Sequence, residues 1–67
     1  MTGVVASWDD HGGYGTVRAD DGAEHFFHCT AIADGTRTID EATPVTFDLV
    51  AGHRGRYEAR DIRAAAS

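Results

Sequence analysis

The run Gly12-Gly13-Tyr14-Gly15-Thr16-Val17-Arg18-Ala19-Asp20-Asp21-Gly22-Ala23-Glu24-His25-Phe26-Phe27-His28-Cys29 decides the fold. His11-Gly12-Gly13 before it reads as a turn, and Tyr14 to Arg18 as a short strand. Asp20-Asp21-Gly22 holds an Asp-Gly pair, the strongest short hairpin signal in the chain. Glu24 to Cys29 then reads as the returning strand. Side chains on a strand alternate between faces. Tyr14, Thr16 and Arg18 therefore share one face, and Gly15, Val17 and Ala19 the other, which is the natural core side. On the returning strand Phe26 and His28 share a face opposite His25, Phe27 and Cys29. Pairing through Asp21-Gly22 brings Tyr14, Phe26 and His28 together on the outside.

Working outward, Thr2 to Trp8 reads as a preceding strand. Thr30 to Ala33 fits one helical turn, and Asp34-Gly35 begins a polar loop. From Pro44 to Val50, Val45, Phe47 and Leu49 alternate with Thr46 and Asp48, the pattern of a half-buried strand. Gly52 to Gly55 is another turn. Arg56 to Arg63 reads as the fifth strand, and Ala64 to Ser67 as a frayed tail. Five short strands without a long helix predict an all-β domain over residues 1–67. It closes into a small antiparallel barrel, because open edges invite aggregation. The expected core is Val5, Val17, Phe27, Ile32, Ile39, Val45, Phe47, Leu49 and Ile62. So thin a core predicts a stability of a few kcal/mol, at ~0.05–0.15 kcal/mol per residue.

Composition narrows the function classes. With 67 residues there is room for one small domain and little for an enzyme pocket with its supporting shell. Cys29 is the single cysteine, so an internal disulfide and a zinc ribbon are both excluded. No apolar run spans a bilayer, and Met1 to Val5 lacks a signal pattern, so the expected address is the cytoplasm. His25, His28 and Cys29 lie close in sequence, but adjacent strand residues face opposite ways. They make neither a convergent metal site nor a nucleophilic pair. Asp9-Asp10 and Asp20-Asp21 lie in turns, where aspartate is favoured by backbone hydrogen bonding. No enzyme activity, metal, cofactor or small-molecule substrate is expected.

Eleven acidic and six basic residues give a net charge of −5, which excludes a polybasic nucleic-acid tail. The charge is unevenly spread. Residues 1–50 hold nine acids and two arginines, for −7, and residues 51–67 hold four arginines and two acids, for +2. All six basic residues are arginine, which fits a GC-rich codon bias. On the outer face, Tyr14, Phe26 and His28 with Arg18 nearby form a stacking platform for unpaired bases. Such stacking contributes about 1–3 kcal/mol per base and tolerates any sequence.

Over nearly its whole length the chain resembles the bacterial cold-shock domain family. The family's Lys-Gly-aromatic-Gly-Phe-Ile motif stands here as Gly12-Gly13-Tyr14-Gly15-Thr16-Val17, and its Val-Phe-Val-His as His25-Phe26-Phe27-His28. Thr30-Ala31-Ile32, Gly3-Val4-Val5, Gly52-His53-Arg54-Gly55 and Ala59-Arg60-Asp61-Ile62 match further family segments in order, with an extra residue in the last strand. The resemblance implies a five-stranded OB-type barrel that binds single-stranded RNA or DNA on its first three strands. Trp8, Tyr14, Arg18, Phe26, His28, Arg54 and Arg56 are the candidate binding residues.

The departures from the family pattern point to weakened affinity. The motif lysine is Gly12, its second phenylalanine is Thr16, and the aromatic after the motif histidine is Cys29. The family's Lys-Trp-Phe-Asn is Ala6-Ser7-Trp8-Asp9, so Ser7 takes the tryptophan position. The loop aromatic after Gly35 is Thr36, and Asp10 adds negative charge. The alternation does not fix whether Trp8 faces outward. His25 falls at a buried-valine position, and is either a buried neutral histidine with hydrogen-bond partners or exposed by a shifted strand edge. The alternative function is a degenerate barrel serving as a protein-interaction or structural module. The chain is expected to be a monomer, with strand exchange through Gly12-Gly13 and the 34–42 loop as a route to a dimer.

Overall fold

The computed structural model describes residues 1–33, 38–52 and 56–65. The strands are β1 (Thr2–Asp9), β2 (Tyr14–Ala19), β3 (Glu24–His28), β4 (Pro44–Ala51) and β5 (Tyr57–Ala64), with a 3-10 turn at Cys29–Ala31 after β3. They close into a barrel in the order β1-β2-β3-β5-β4. Four seams are as expected for an antiparallel barrel. The fifth is not: β3 and β5 run parallel, registered through Phe26 and Glu58. Closing five strands with this connectivity forces the last strand against the third in the same direction. Local periodicity carries no information on that seam.

The hairpin forms where Asp21-Gly22 places it. Gly22 takes a φ of 91°, open to glycine without steric cost. The Asp21 carboxylate accepts from the Ala23 backbone N–H at 2.9 Å, and Ala19 N–H donates to Ala23 O at 2.8 Å. Asp20 accepts from the Thr2 hydroxyl, tying the turn to β1.

Val5, Val17, Ala19, Phe27, Ile32, Val45, Phe47, Ala59 and Ile62 are buried together. Ile39 and Leu49, expected in the core, only pack against it half-buried. Ala19 and Ala59 fill the interior instead.

Two bulges adjust the barrel. Between Val5↔Val17 and Ser7↔Thr16 the register shifts, so Ala6 is an extra residue in β1. Between Thr46↔Arg63 and Asp48↔Arg60 it shifts again, with Asp61 and Ile62 opposite Phe47. Asp61 adopts a φ of 53°, a left-handed conformation that aspartate tolerates better than most residues. The extra residue of the last strand is absorbed there without displacing buried Ile62.

Candidate nucleic-acid interface

The register sets out the outer face in rows. Asp9 pairs Tyr14, which pairs His28; Ser7 pairs Thr16, which pairs Phe26; Val4 pairs Arg18, which pairs Glu24. Tyr14, Phe26 and His28 are thus neighbours on two strands, as the alternation predicts. The Tyr14 and Phe26 rings stack at 5.7 Å between centroids and 28° between planes. His28 meets Phe26 edge-on at 4.7 Å and 85°. Tyr14 is 43% exposed, His28 is exposed and Phe26 is half-buried. Beneath them Phe27, on the inner row, is fully buried.

Glycines make the platform possible. A side chain on Gly12 would run into the Tyr14 ring, which leans over that position. One on Gly15 would strike the Ser7 carbonyl, so glycine is what lets β1 and β2 close here. Gly13 has a φ of 73°, and its carbonyl accepts from Cys29 N–H at 2.8 Å, fixing the end of β3 against the turn. Cys29 consequently begins the 3-10 turn rather than extending the strand.

The β1 side of the face is polar. The Ser7 and Thr16 hydroxyls share a hydrogen bond of 2.9 Å. Arg18 pairs with Glu24 at 3.5 Å, with both side chains at least half exposed. That exposure makes the pair weak, at most about 1 kcal/mol.

Trp8 is not on the platform. Alternation counted from Val5 would place it outward, but the Ala6 bulge resets the phase. Trp8 therefore pairs with Gly15 and stacks on buried Phe27 at 5.6 Å and 13°. Its indole N–H donates to Asp10 at 3.3 Å, and its backbone N–H to Glu41 at 3.3 Å. Asp10 also accepts from Thr38. These carboxylates are engaged in local structure around the indole.

His25 resolves between its two readings. It pairs with buried Val17 on the inner row, tilted against Phe47 at 6.3 Å and 51°. Yet it is only half-buried, and one side opens into a groove. That groove, about 700 Å³, is lined by Thr16, Glu24, His25, Phe26, Arg56, Tyr57 and Glu58. Arg56 is exposed there, beside the platform. Arg54 lies outside the described residues. Arg63 is tied to Asp61 at 3.1 Å.

Tyr57 is a residue the sequence reading missed. It is 60% exposed although it shares its alternation phase with buried Ala59. The inner row reaches the barrel rim there, so a ring that periodicity assigns inward emerges into the groove. The available signal was an aromatic placed directly after the Gly52–Gly55 turn.

Comparison with known proteins agrees with this architecture. A family model described as the 'Cold-shock' DNA-binding domain matches residues 1–65. The chain is similar to cold shock protein CspB of Bacillus caldolyticus, 34% identical over 62 residues, which span 91% of this chain and 94% of that protein. It is 36% identical to cold shock-like protein CspD of Bacillus cereus over 60 residues, 88% of this chain and 91% of the relative. Cold shock protein 2 of Lactiplantibacillus plantarum is 39% identical over 54 residues, 79% of this chain and 82% of the relative.

Proposed function

The chain belongs to the cold-shock domain family, and from that premise we propose that it binds single-stranded RNA or DNA by stacking bases on the outer face of β1–β3, more weakly than a family member with the full set of rings. The contact of half-buried Phe26 with the exposed rings of Tyr14 and His28 on one outer face carries this reading. Each ring offers a π-face to a base, and bases held on it are withheld from pairing partners. The action is passive and RNA-chaperone-like: no bond is made or broken, and one chain is a complete binding unit. Arg18 and Arg56 are the phosphate partners among the described candidates, and Trp8 supports the platform from beneath through Phe27. With so few cations, affinity falls only gently with salt.

One observation favours a second reading, that of a protein-interaction or structural module. Arg18, the one arginine of β1–β3, is already paired with Glu24. Titration of a fluorescently labelled pyrimidine-rich single strand at low salt separates the two. The nucleic-acid reading predicts saturable binding in the micromolar range, a shallow salt slope and no comparable binding of duplex. Absence of binding at high micromolar protein would leave the second reading standing.

A further inference from the structure

Past His28 the outer face continues onto β5. The two parallel strands are registered with Phe26 opposite Glu58. Two residues further along each strand, His28 and Arg60 take the same outward phase, while Phe27 and Ala59 between them are buried on the inner phase. One groove of about 240 Å³ accordingly has His28, Thr30, Glu58 and Arg60 in its walls. Arg60 is exposed, and no ion pair or hydrogen bond holds it among the described residues. Asp48 is registered opposite it on β4 without closing an ion pair. Glu58 is the one carboxylate among the described residues of that groove, and it is drawn away from Arg60. Its methylene and carboxyl carbons lie over Gly52, whose N–H donates to Arg56 O at 2.6 Å. Gly52 lies beyond the Ala51↔Tyr57 pair, at the opposite end of β5 from the Asp48↔Arg60 pair. Asp48 and Asp61 line the next groove along, which shares Thr30 and Arg60, and Asp61 is tied to Arg63. The surface that favours an anion is therefore the stretch between His28 and Arg60.

From this we infer that Arg60 is a phosphate-binding residue, which takes the backbone phosphate where a single strand leaves the platform beyond His28. This rests on the single-strand binding proposed above and adds an anchor that the rings do not supply. A strand with one base on His28 must carry its next phosphodiester past the edge of that ring. On the β2 side of His28 stands Tyr14, its registered partner, and on the β5 side stands Arg60. A guanidinium fork donates to two phosphate oxygens at once. Such a contact positions the strand and reads no base. The outer row thus runs from Tyr14 through His28 to Arg60, two rings followed by a cation, and ends at Asp48, which repels the backbone.

The test uses the full chain and a short oligothymidine, with affinity measured across a salt series. Arg60→Gln should weaken binding about two- to fivefold at low salt. It should also make the fall of log affinity with log salt shallower by about 0.7, the share of one phosphate contact on a single strand. Arg60→Lys keeps the charge and should keep the slope. A methylphosphonate oligothymidine of the same length retains the bases without the backbone charge, so the parent and Arg60→Gln should bind it equally. Thr30→Lys adds a cation to the same groove and should steepen the slope by about 0.7, which decides the matter if Arg60→Gln fails to fold. An unchanged slope in folded Arg60→Gln overturns the inference while leaving single-strand binding standing. So does a slope lost equally in Arg60→Lys, an equal loss of affinity for the uncharged strand, or a slope that Thr30→Lys does not move. Absence of binding of the charged oligothymidine by the parent chain overturns both.

Discussion

On the outer face of β1–β3, the β3 side carries Tyr14 and His28 each in ring contact with Phe26, whereas the β1 side carries the Ser7 and Thr16 hydroxyls 2.9 Å apart. Both sides sit on the same barrel above the same interior. Val5, Val17 and Phe27 are buried beneath them without exception. Folding constrains the inner row closely and the outer row hardly at all. Rings can therefore be lost from one side of the face without cost to the barrel, and what changes is the stacking surface.

Refilling the polar side is the strongest way to break the contrast. Ser7→Trp with Thr16→Phe replaces a cross-strand hydroxyl pair by two rings beside Phe26. Affinity for a single strand is expected to rise about 100-fold, at ~1–3 kcal/mol per added stack, measured by anisotropy titration. Emptying the ring side is next. Phe26→Ala removes the ring that touches both Tyr14 and His28, and should lower affinity by about 10- to 100-fold. Its thermal unfolding midpoint should stay close to that of the parent, because Phe26 lies outside the buried cluster. A large loss of stability would instead make Phe26 a core residue.

Smaller effects sharpen the comparison. Glu24→Gln frees Arg18 from an exposed ion pair and removes a negative charge from the face. A roughly two- to threefold gain in affinity at low salt should fade as screening increases, with stability changed by less than about 1 kcal/mol. Ala42→Gly acts away from the face. Ala42 has a φ of 68°, which glycine adopts without a Cβ penalty. The substitution should raise stability by about 0.5–1 kcal/mol, partly offset by unfolded-chain entropy, and leave affinity unchanged.

Legibility in the sequence follows the same division. The Asp21-Gly22 hairpin and the face shared by Tyr14, Phe26 and His28 were readable because both depend on local alternation and one strong turn. Trp8 was not, since the Ala6 bulge resets the phase inside a strand with no glycine or proline at that point to mark it. Tyr57 was lost for the opposite reason: alternation holds, but the strand passes the rim, and periodicity does not say where a barrel ends. The parallel β3–β5 seam is a property of closure and lies beyond any local pattern. Family resemblance supplied the extra residue in the last strand but not its resting place. That was settled by the need to keep Ile62 buried opposite Phe47 while Asp61 took the left-handed conformation.

The most direct test of the central claim is a map of backbone amide chemical shifts during titration with a short pyrimidine-rich single strand. Stacking on the ring side predicts saturating shifts centred on Tyr14, Phe26 and His28, extending to Arg56 and Tyr57 and weakening toward Ser7. Shifts that instead cluster on β4 and the 3-10 turn, or a spectrum unmoved at high micromolar strand, would contradict it.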